Sequence, residues 1–268
     1  RLDEYPIGVK PDYDVVVVGG SEFAVVSAVA AARQGATVLM LAEGARLGGV
    51  TGWALTQTDM LNDRSPGMIF GIARELFELV ARQKSGAEVT FEQFHRLGGN
   101  GRPSQWERAL IALLATAPGI TIVRNAPLTH VAKTGTRITS ITAGDVDYTG
   151  RVFLDATATG DLIRLAGVTT SLGRESAAQT GETAGATIGV RTPTALTGVD
   201  PYVTPGNSGS GLIYGVDSAA LGTAGSGDGR VMASGIRTYI TKNADKTAWP
   251  APTDYVASRY ELIARIWA

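Results

Sequence analysis

The sequence contains no cysteine, which excludes disulfides, thiolate metal sites and redox-active dithiols. Histidine is almost as scarce, His95 and His130 being the only two. No His, Asp and Glu residues cluster at ligand spacing, so no metal is expected. Neither sign of charge dominates. The 24 Lys and Arg residues against 25 Asp and Glu leave a net charge of −1, which gives no electrostatic reason to expect nucleic acid or a membrane surface as partner. No apolar run approaches the ~18 residues that span a bilayer. Arg1 to Tyr13 has no apolar core of a secretory leader, and one removed before Arg1 would leave no trace. A chain without thiols survives in any compartment, so localisation stays open, with the cytoplasm as the default.

What is present is an ordinary globular composition. The 268 residues are 44% hydrophobic and 18% charged, enough for one large domain or two modest ones. Val15 to Val18 is a short run of β-branched residues between Tyr13-Asp14 and Gly19-Gly20. It reads as a strand buried on both faces, as in a parallel sheet. Glu22 to Gln34 is alanine-rich and helical, and Gly35 supplies its stop. Thr37 to Leu41 is a second apolar strand. Strand, glycine turn, helix and strand within about 30 residues make a βαβ unit.

Two further helices are expected. Met68 to Lys84 sets Ile69, Ile72, Ala73, Leu76 and Val80 on one face. Ser104-Gln105-Trp106-Glu107 has the pattern of a capping box and opens a helix carrying Leu110, Leu113 and Leu114 inward. Gly86 to Pro103 between them reads as a glycine-rich loop. From Ile120 the period shortens: Ile120–Val123, Leu128–Lys133, Arg137–Thr142 and Asp145–Tyr148 are short strands, with Gly135 and Gly144 at turns. Arg151 to Leu154 is another strand, running into Asp155. Gly206 to Gly229 reads as long loops, and Arg259 to Trp267 as a helix.

A strand entering a helix through small residues makes a cradle for a pyrophosphate. The backbone comes close to the phosphates, and the helix N-terminus offers free N–H groups with a partial positive charge. The usual pattern is G-x-G-x-x-G, with an acid on the ribose at the end of the second strand. Gly19, Ser21 and Ala24 stand at the three glycine positions, and Gly20 lies between the first two. A tight connection without a ligand would use the same turn.

With these residues in place, the chain resembles the FAD-dependent oxidoreductases of glutathione-reductase-type fold. The likeness rests on Asp14-Val-Val-Val-Val-Gly-Gly20, Ala31-Ala-Arg-Gln-Gly35 and Arg46-Leu-Gly-Gly49. It continues through Asp155-Ala-Thr-Ala-Thr-Gly-Asp-Leu162, Ala166-Gly-Val168 and Gly173-Arg-Glu175. Gly227-Asp-Gly-Arg230 and Ala257-Ser-Arg-Tyr-Glu-Leu262 are similar to the mid-protein segment of a bacterial branch.

The resemblance implies an α/β fold: a Rossmann-like nucleotide domain with a parallel sheet, a β-meander crossover and an inserted or partial substrate domain. It places the first over residues 1–168, with a helical insertion at about 53–103, and the second over 169–268. Family members run on past the last residue here, so the sequence is expected to be part of a longer protein. FAD is the implied cofactor. Its implied contacts are Gly19, Gly20, Ser21, Ala24, Glu43, Arg46, Gly48, Gly49, Val131, Asp155, Ala156, Thr157, Gly160 and Asp161.

The family pattern puts the ribose acid at Ala42, whereas this sequence has Glu43. Strand side chains alternate faces, so one residue of shift aims the carboxylate away unless a bulge restores it. Glu43 is then either a solvated loop acid or a ribose ligand, and Asp161 either a helix cap or a flavin neighbour. His130 reads as structural. His95, in the expected loop, has the chemistry of an acid–base group near neutral pH. Arg174, Glu175 and Glu182 are candidates for substrate contact by position alone, and no catalytic residue is assigned. Two functions follow: an FAD-dependent oxidoreductase of a small-molecule substrate, or a related Rossmann module that binds or scaffolds without tight flavin. An NAD(P) enzyme would share the βαβ unit but explains the Asp155–Asp161 segment poorly. Gly19→Val is expected to abolish nucleotide binding while sparing the fold.

Overall fold

The structure, a computed structural model, describes residues 12–54, 69–86, 90–96, 101–181, 198–218, 223, 225–231, 242–248 and 250–268. These fall into two compact units, one holding the described residues up to Thr169 and the other those from Thr170.

The first unit is α/β. Strands β1 (Tyr13–Val18), β2 (Val38–Leu41), β3 (Ile120–Val123) and β7 (Gly150–Asp155) form a parallel sheet in the order β3-β2-β1-β7. The valine run of β1 is therefore interior, with a parallel neighbour on each side. Register aligns Val18 with Leu41 on one flank and with Asp155 on the other. The three chains consequently leave the sheet at one rim, which is where ligands lie in open α/β sheets. Ile120–Val123 belongs to this sheet. The short strands that follow it in sequence, β4 (Leu128–Thr134), β5 (Arg137–Ala143) and β6 (Val146–Tyr148), make a separate antiparallel meander.

Strand alternation sorts the core onto two faces. Val17, Val38 and Met40 point to α1 (Glu22–Arg33) and α5 (Pro103–Leu114), meeting Val25, Val29, Leu110 and Leu113. Val16, Val18, Leu39 and Leu41 point to the meander and α6 (Asp161–Leu165), meeting Val131, Ile141 and Leu162. A sheet covered on both faces explains why β1 and β2 are continuous apolar runs and not alternating ones.

Three local expectations are corrected. The helix α5 opens with Pro103, and Arg102 is its N-cap; Gln105 accepts the Arg102 N–H at 2.7 Å. Proline suits a first helical position because its missing N–H would have no partner there. Ser104 is then not the cap, and Glu107 is free for another task. The helix expected from Met68 is α3 (Gly71–Ser85), which buries Leu76, Val80 and Ala81. The expected loop from Gly86 contains a short helix, α4 (Phe91–Arg96), beyond α2 (Gly49–Trp53) and α3 in the order of the chain. Phe91 from α4 meets the Phe77 ring edge-on at 5.9 Å, and Phe77 meets Trp106 at 5.3 Å.

The second unit has little regular structure among its described residues: α7 (Ala177–Thr180), α8 (Glu261–Trp267) and two 3₁₀ turns at Ser208–Ser210 and Ala257–Tyr260. Arg265 anchors α8 by donating to the carbonyls of Asp200, Tyr202 and Val203. Antiparallel bridges join Arg174 to Asp228 and Tyr202 to Leu212.

Candidate functional site

The first turn at the rim begins where β1 stops. Gly19 has φ +129°, and a Cβ there would lie 2.6 Å from the carbonyl carbon of Ala156. The glycine is thus required by the neighbouring strand end as well as by any phosphate. Any side chain at Gly19 would push β1 and β7 apart, so the expectation that valine would spare the fold does not hold.

Ser21 caps α1. Its Oγ accepts the Ala24 N–H at 3.2 Å and donates to the Ala156 carbonyl at 2.7 Å. The serine in the second glycine position therefore keeps its side chain inside the protein, and the ligand side of the turn stays backbone. Ala24 is fully buried. The amides of Ser21 and Phe23 find no acceptor among the described residues, which leaves the first turn of α1 able to receive an anion.

The second turn follows β2. Ala42 donates to Val123 O and accepts from Ala126 N, so strand-like pairing continues one residue past Leu41. Glu43 comes next, and its Oε2 accepts the Gly20 N–H at 2.9 Å. The displaced acid thus points at the glycine turn. Further on, Gly48 N donates to Gly20 O at 2.7 Å, bringing the Gly48-Gly49 pair against the start of α1.

Arg46 faces a different partner. Its Nε donates to Glu107 at 3.0 Å and its Nη2 to the Gly52 carbonyl at 2.7 Å, while the second Glu107 oxygen takes the Leu47 N–H at 3.1 Å. Glu107, which the sequence offers only as part of a capping pattern, ties this loop to α5.

The third turn follows β7. One Asp155 oxygen accepts both the N–H (2.9 Å) and the hydroxyl (2.7 Å) of Thr157, and the other accepts the Ile163 N–H at 3.0 Å. Thr157 Oγ1 in turn takes the Asp161 N–H at 2.9 Å. Asp155 is therefore the clasp of the β7–α6 turn, with Gly160 as the N-cap of α6. Asp161 accepts from Thr159 and from Arg164.

Between the three turns lies a cleft of about 260 Å³. It is lined by the apolar Leu41, Ala126, Pro127 and Leu128 and by Gly19, Glu43, Thr157 and Asp161. Gly19, Glu43, Thr157 and Asp161 of the candidate contacts meet there. Val131 does not line it, since its side chain is buried against the meander core. Neither Pro127 nor its neighbours carried a motif that would have marked them.

Glu22, the first residue of α1, escaped notice in the sequence although an acid directly after a glycine turn is a signal in itself. Its carboxyl is half-buried and bonded to its own amide; burial pushes its pKa up and that bond opposes the rise. A Cβ on Gly49 would lie 3.0 Å from its Oε2.

The other candidates are dispersed. His130 is exposed on β4, and His95 lies on α4 with its side chain outside the described residues. Arg174 is held by Asp228 through two hydrogen bonds, one of 2.8 Å. The pair lines a separate shallow cleft with Glu175, Ser176 and Gln179, and Glu182 is outside the described residues. Among the described residues no group of three His, Asp or Glu could hold a metal, and no helix is long and apolar enough to cross a membrane.

The profile of the family described as FAD dependent oxidoreductase matches residues 14–268. The chain belongs to that family. Among solved structures, this family member is similar to AlpK, with 20% identity, 63% of this chain and 36% of that one covered, and a TM-score of 0.43. It is similar also to L-proline dehydrogenase from P. horikoshii, with 12% identity, 62% and 59% covered, and a TM-score of 0.44. T. acidophilum thioredoxin reductase gives 20% identity, 55% and 36% covered, and 0.32. The chain thus spans between 36% and 59% of the length of these proteins. No curated protein matches it.

The family's cofactor is FAD, and the rim can be tested against it residue by residue. The adenosine half fits in its chemistry: apolar side chains and the Glu43 carboxylate line the same cleft. The pyrophosphate end fits in its backbone, with unpaired amides at the first turn of α1. Two acids stand near it, Glu43 on the Gly20 amide and Glu22 at the first position of α1.

Proposed function

We propose that this chain is the nucleotide-holding part of an FAD-dependent oxidoreductase acting on a small-molecule substrate. Residues 1–168 form the nucleotide domain in this reading, and 169–268 belong to the substrate domain. The observation that carries it is the meeting of three turns at one sheet rim, with the Glu43 carboxylate and the Gly20 amide 2.9 Å apart beside an apolar cleft. Bound FAD supplies the hydride chemistry; the protein supplies binding, orientation and electrostatics.

Each turn has its part. The Gly19–Ala24 backbone and the N-terminus of α1 would receive the pyrophosphate. Glu43 would take the ribose hydroxyls, and Leu41, Ala126, Pro127 and Leu128 would cover the adenine. Asp155 holds the Thr157–Asp161 turn in place without contacting the nucleotide, and Arg46 fixes the Gly48-Gly49 loop through Glu107. The match to the family supports catalysis, and no observation favours the scaffolding module.

The test is a titration of the protein with FAD, following quenching of flavin fluorescence, together with release of flavin from purified protein on denaturation. Saturable binding with one FAD per chain is the expected result. Absence of binding up to about a millimolar, where the free energy of association is near −4 kcal/mol, would remove the proposal.

A further inference from the structure

Of all the side chains at the rim, Glu22 is the one that neither closes the fold nor suits the cofactor. It stands at the first position of α1, where an incoming diphosphate takes the free amides and the positive end of the helix. Its carboxyl is half-buried there. It reaches Gly49: a Cβ at that glycine would meet Glu22 Oε2 at 3.0 Å and the Ser21 Cβ at 3.4 Å. The carboxylate thus lies between the two backbone segments, Ser21–Phe23 and Gly48-Gly49, that would flank the phosphates.

The neighbouring charges do not neutralise it. Glu43 is turned to the Gly20 amide and adds a second negative charge to the turn. The one nearby cation of the loop, Arg46, is engaged by Glu107 and Gly52 O. The helix α2 beside Gly49 carries no titratable residue in Gly49–Trp53. Asp155 is committed to Thr157 and Ile163, and Asp161 to Thr159 and Arg164. Among the described residues no cation pairs with Glu22.

We infer that Glu22 sets the affinity of this chain for FAD by occupying the diphosphate position with its own carboxylate, so that the nucleotide binds when Glu22 is protonated or turned away. The inference rests on the FAD reading above. Two anions cannot share one helix N-terminus without repulsion, and partial burial strengthens that repulsion over its value in water. The same burial raises the pKa of the carboxyl above its ordinary value, which favours its neutral form. The sign follows: affinity for a diphosphate rises as pH falls and Glu22 takes up a proton. At most one proton is linked, so Kd changes by up to about tenfold per pH unit above that pKa and levels off below it.

The experiment compares the full chain with Glu22→Gln and Glu22→Ala, titrating each with FAD, ADP and adenosine between about pH 5.5 and 8.5. Glutamine keeps the shape of the side chain, and circular dichroism checks the fold. At pH 8 the Gln variant is expected to bind FAD and ADP at least about tenfold more tightly than the wild type, a change of ~1.4 kcal/mol. Adenosine, which has no phosphate, is expected to bind all three proteins alike. The pH slope seen in the wild type is expected to vanish in both variants. Equal FAD affinity and equal slope in wild type and Gln variant would overturn the role of Glu22 while leaving the FAD reading intact. A variant that gains on adenosine as much as on ADP would also overturn it, because the effect would then be general and not directed at the diphosphate. Failure of all three proteins to bind FAD or ADP at any pH would overturn the FAD reading and the inference with it.

Discussion

The Glu43 carboxylate accepts the Gly20 amide at 2.9 Å, although Glu43 stands one residue beyond Ala42, where the family pattern puts an acid. The reason lies in Ala42. It remains tied to Val123 and Ala126, and its Cβ would be 3.1 Å from a Cβ on Gly20. A carboxylate at position 42 would have to start from that closed face. Glu43 is the first residue released from the pairing and reaches the turn from the cleft side.

Glu43→Gln is therefore expected to weaken FAD binding. Replacing a charged acceptor for ribose hydroxyls by a neutral amide removes about 1.5–3 kcal/mol, a ten- to hundredfold rise in Kd. Glu43 is exposed, so stability is expected to change by no more than about 0.5 kcal/mol. Flavin titration and thermal unfolding separate the two quantities. A Kd unchanged within threefold would show that Glu43 serves the turn and not the nucleotide.

Gly19→Ala and Gly19→Val are expected to destabilise the protein and not merely to empty the site. The Cβ would enter the Ala156 backbone at a φ of +129°. Strain of that kind costs about 1–3 kcal/mol, and overpacking against a fixed strand adds a similar amount. Urea unfolding monitored by circular dichroism reads the sum. A wild-type midpoint in Gly19→Ala would mean that β7 yields more easily than its place in the sheet implies.

The frame was legible in the sequence and the wiring was not. The valines of β1, the glycines after it and the alanine-rich α1 are local signals, and they agree with the observed strand, turn and helix because propensity and burial point the same way there. The side-chain assignments depended on register, which is not local. Asp155 and Glu107 look alike in a sequence, as acids near a turn or helix start. Only the parallel pairing of β1 with β7 and the packing of α5 on the Arg46 loop decide what they hold. Helix α4 was missed because glycine and histidine around a six-residue segment read as loop, whereas Phe91 packing on Phe77 overrides that tendency.

Asp155→Ala is expected to loosen the third turn. It removes acceptors from Thr157 N, Thr157 Oγ1 and Ile163 N together. Hydrogen bonds to a charged group and loss of a helix cap each fall in the range of about 1–3 kcal/mol. FAD affinity should fall too, because Thr157 and Asp161 line the cleft. Glu is not an adequate replacement, since its longer side chain cannot make the two-residue return to Thr157. Hydrogen exchange at Ile163 gives the most local check: protection there should drop in Asp155→Ala and survive in an Arg164→Ala control.

The second unit carries its own pH signature. The Arg174 guanidinium, which donates twice to Asp228, lowers the Asp228 carboxyl from its ordinary 3.8 to about 2. A folded-state pKa below the unfolded one means that the ionised form is favoured by folding. The contribution is therefore fully present above about pH 4 and is lost as pH falls through 2. Other carboxylates with lowered values, among them Asp14, Glu75 and Asp200, add to the acid sensitivity of the whole chain, so a single melting curve against pH cannot isolate the pair. The difference between wild type and Asp228→Asn can. Asparagine approximates a protonated aspartate, so the wild type is expected to be the more stable near pH 5, with the gap closing steadily towards pH 2. The same comparison in high salt should narrow the gap at pH 5, because both partners are partly exposed and open to screening. A gap that stays constant from about pH 5 to 2.5 would show that Asp228 acts through its backbone bridge to Arg174 and not through its charge.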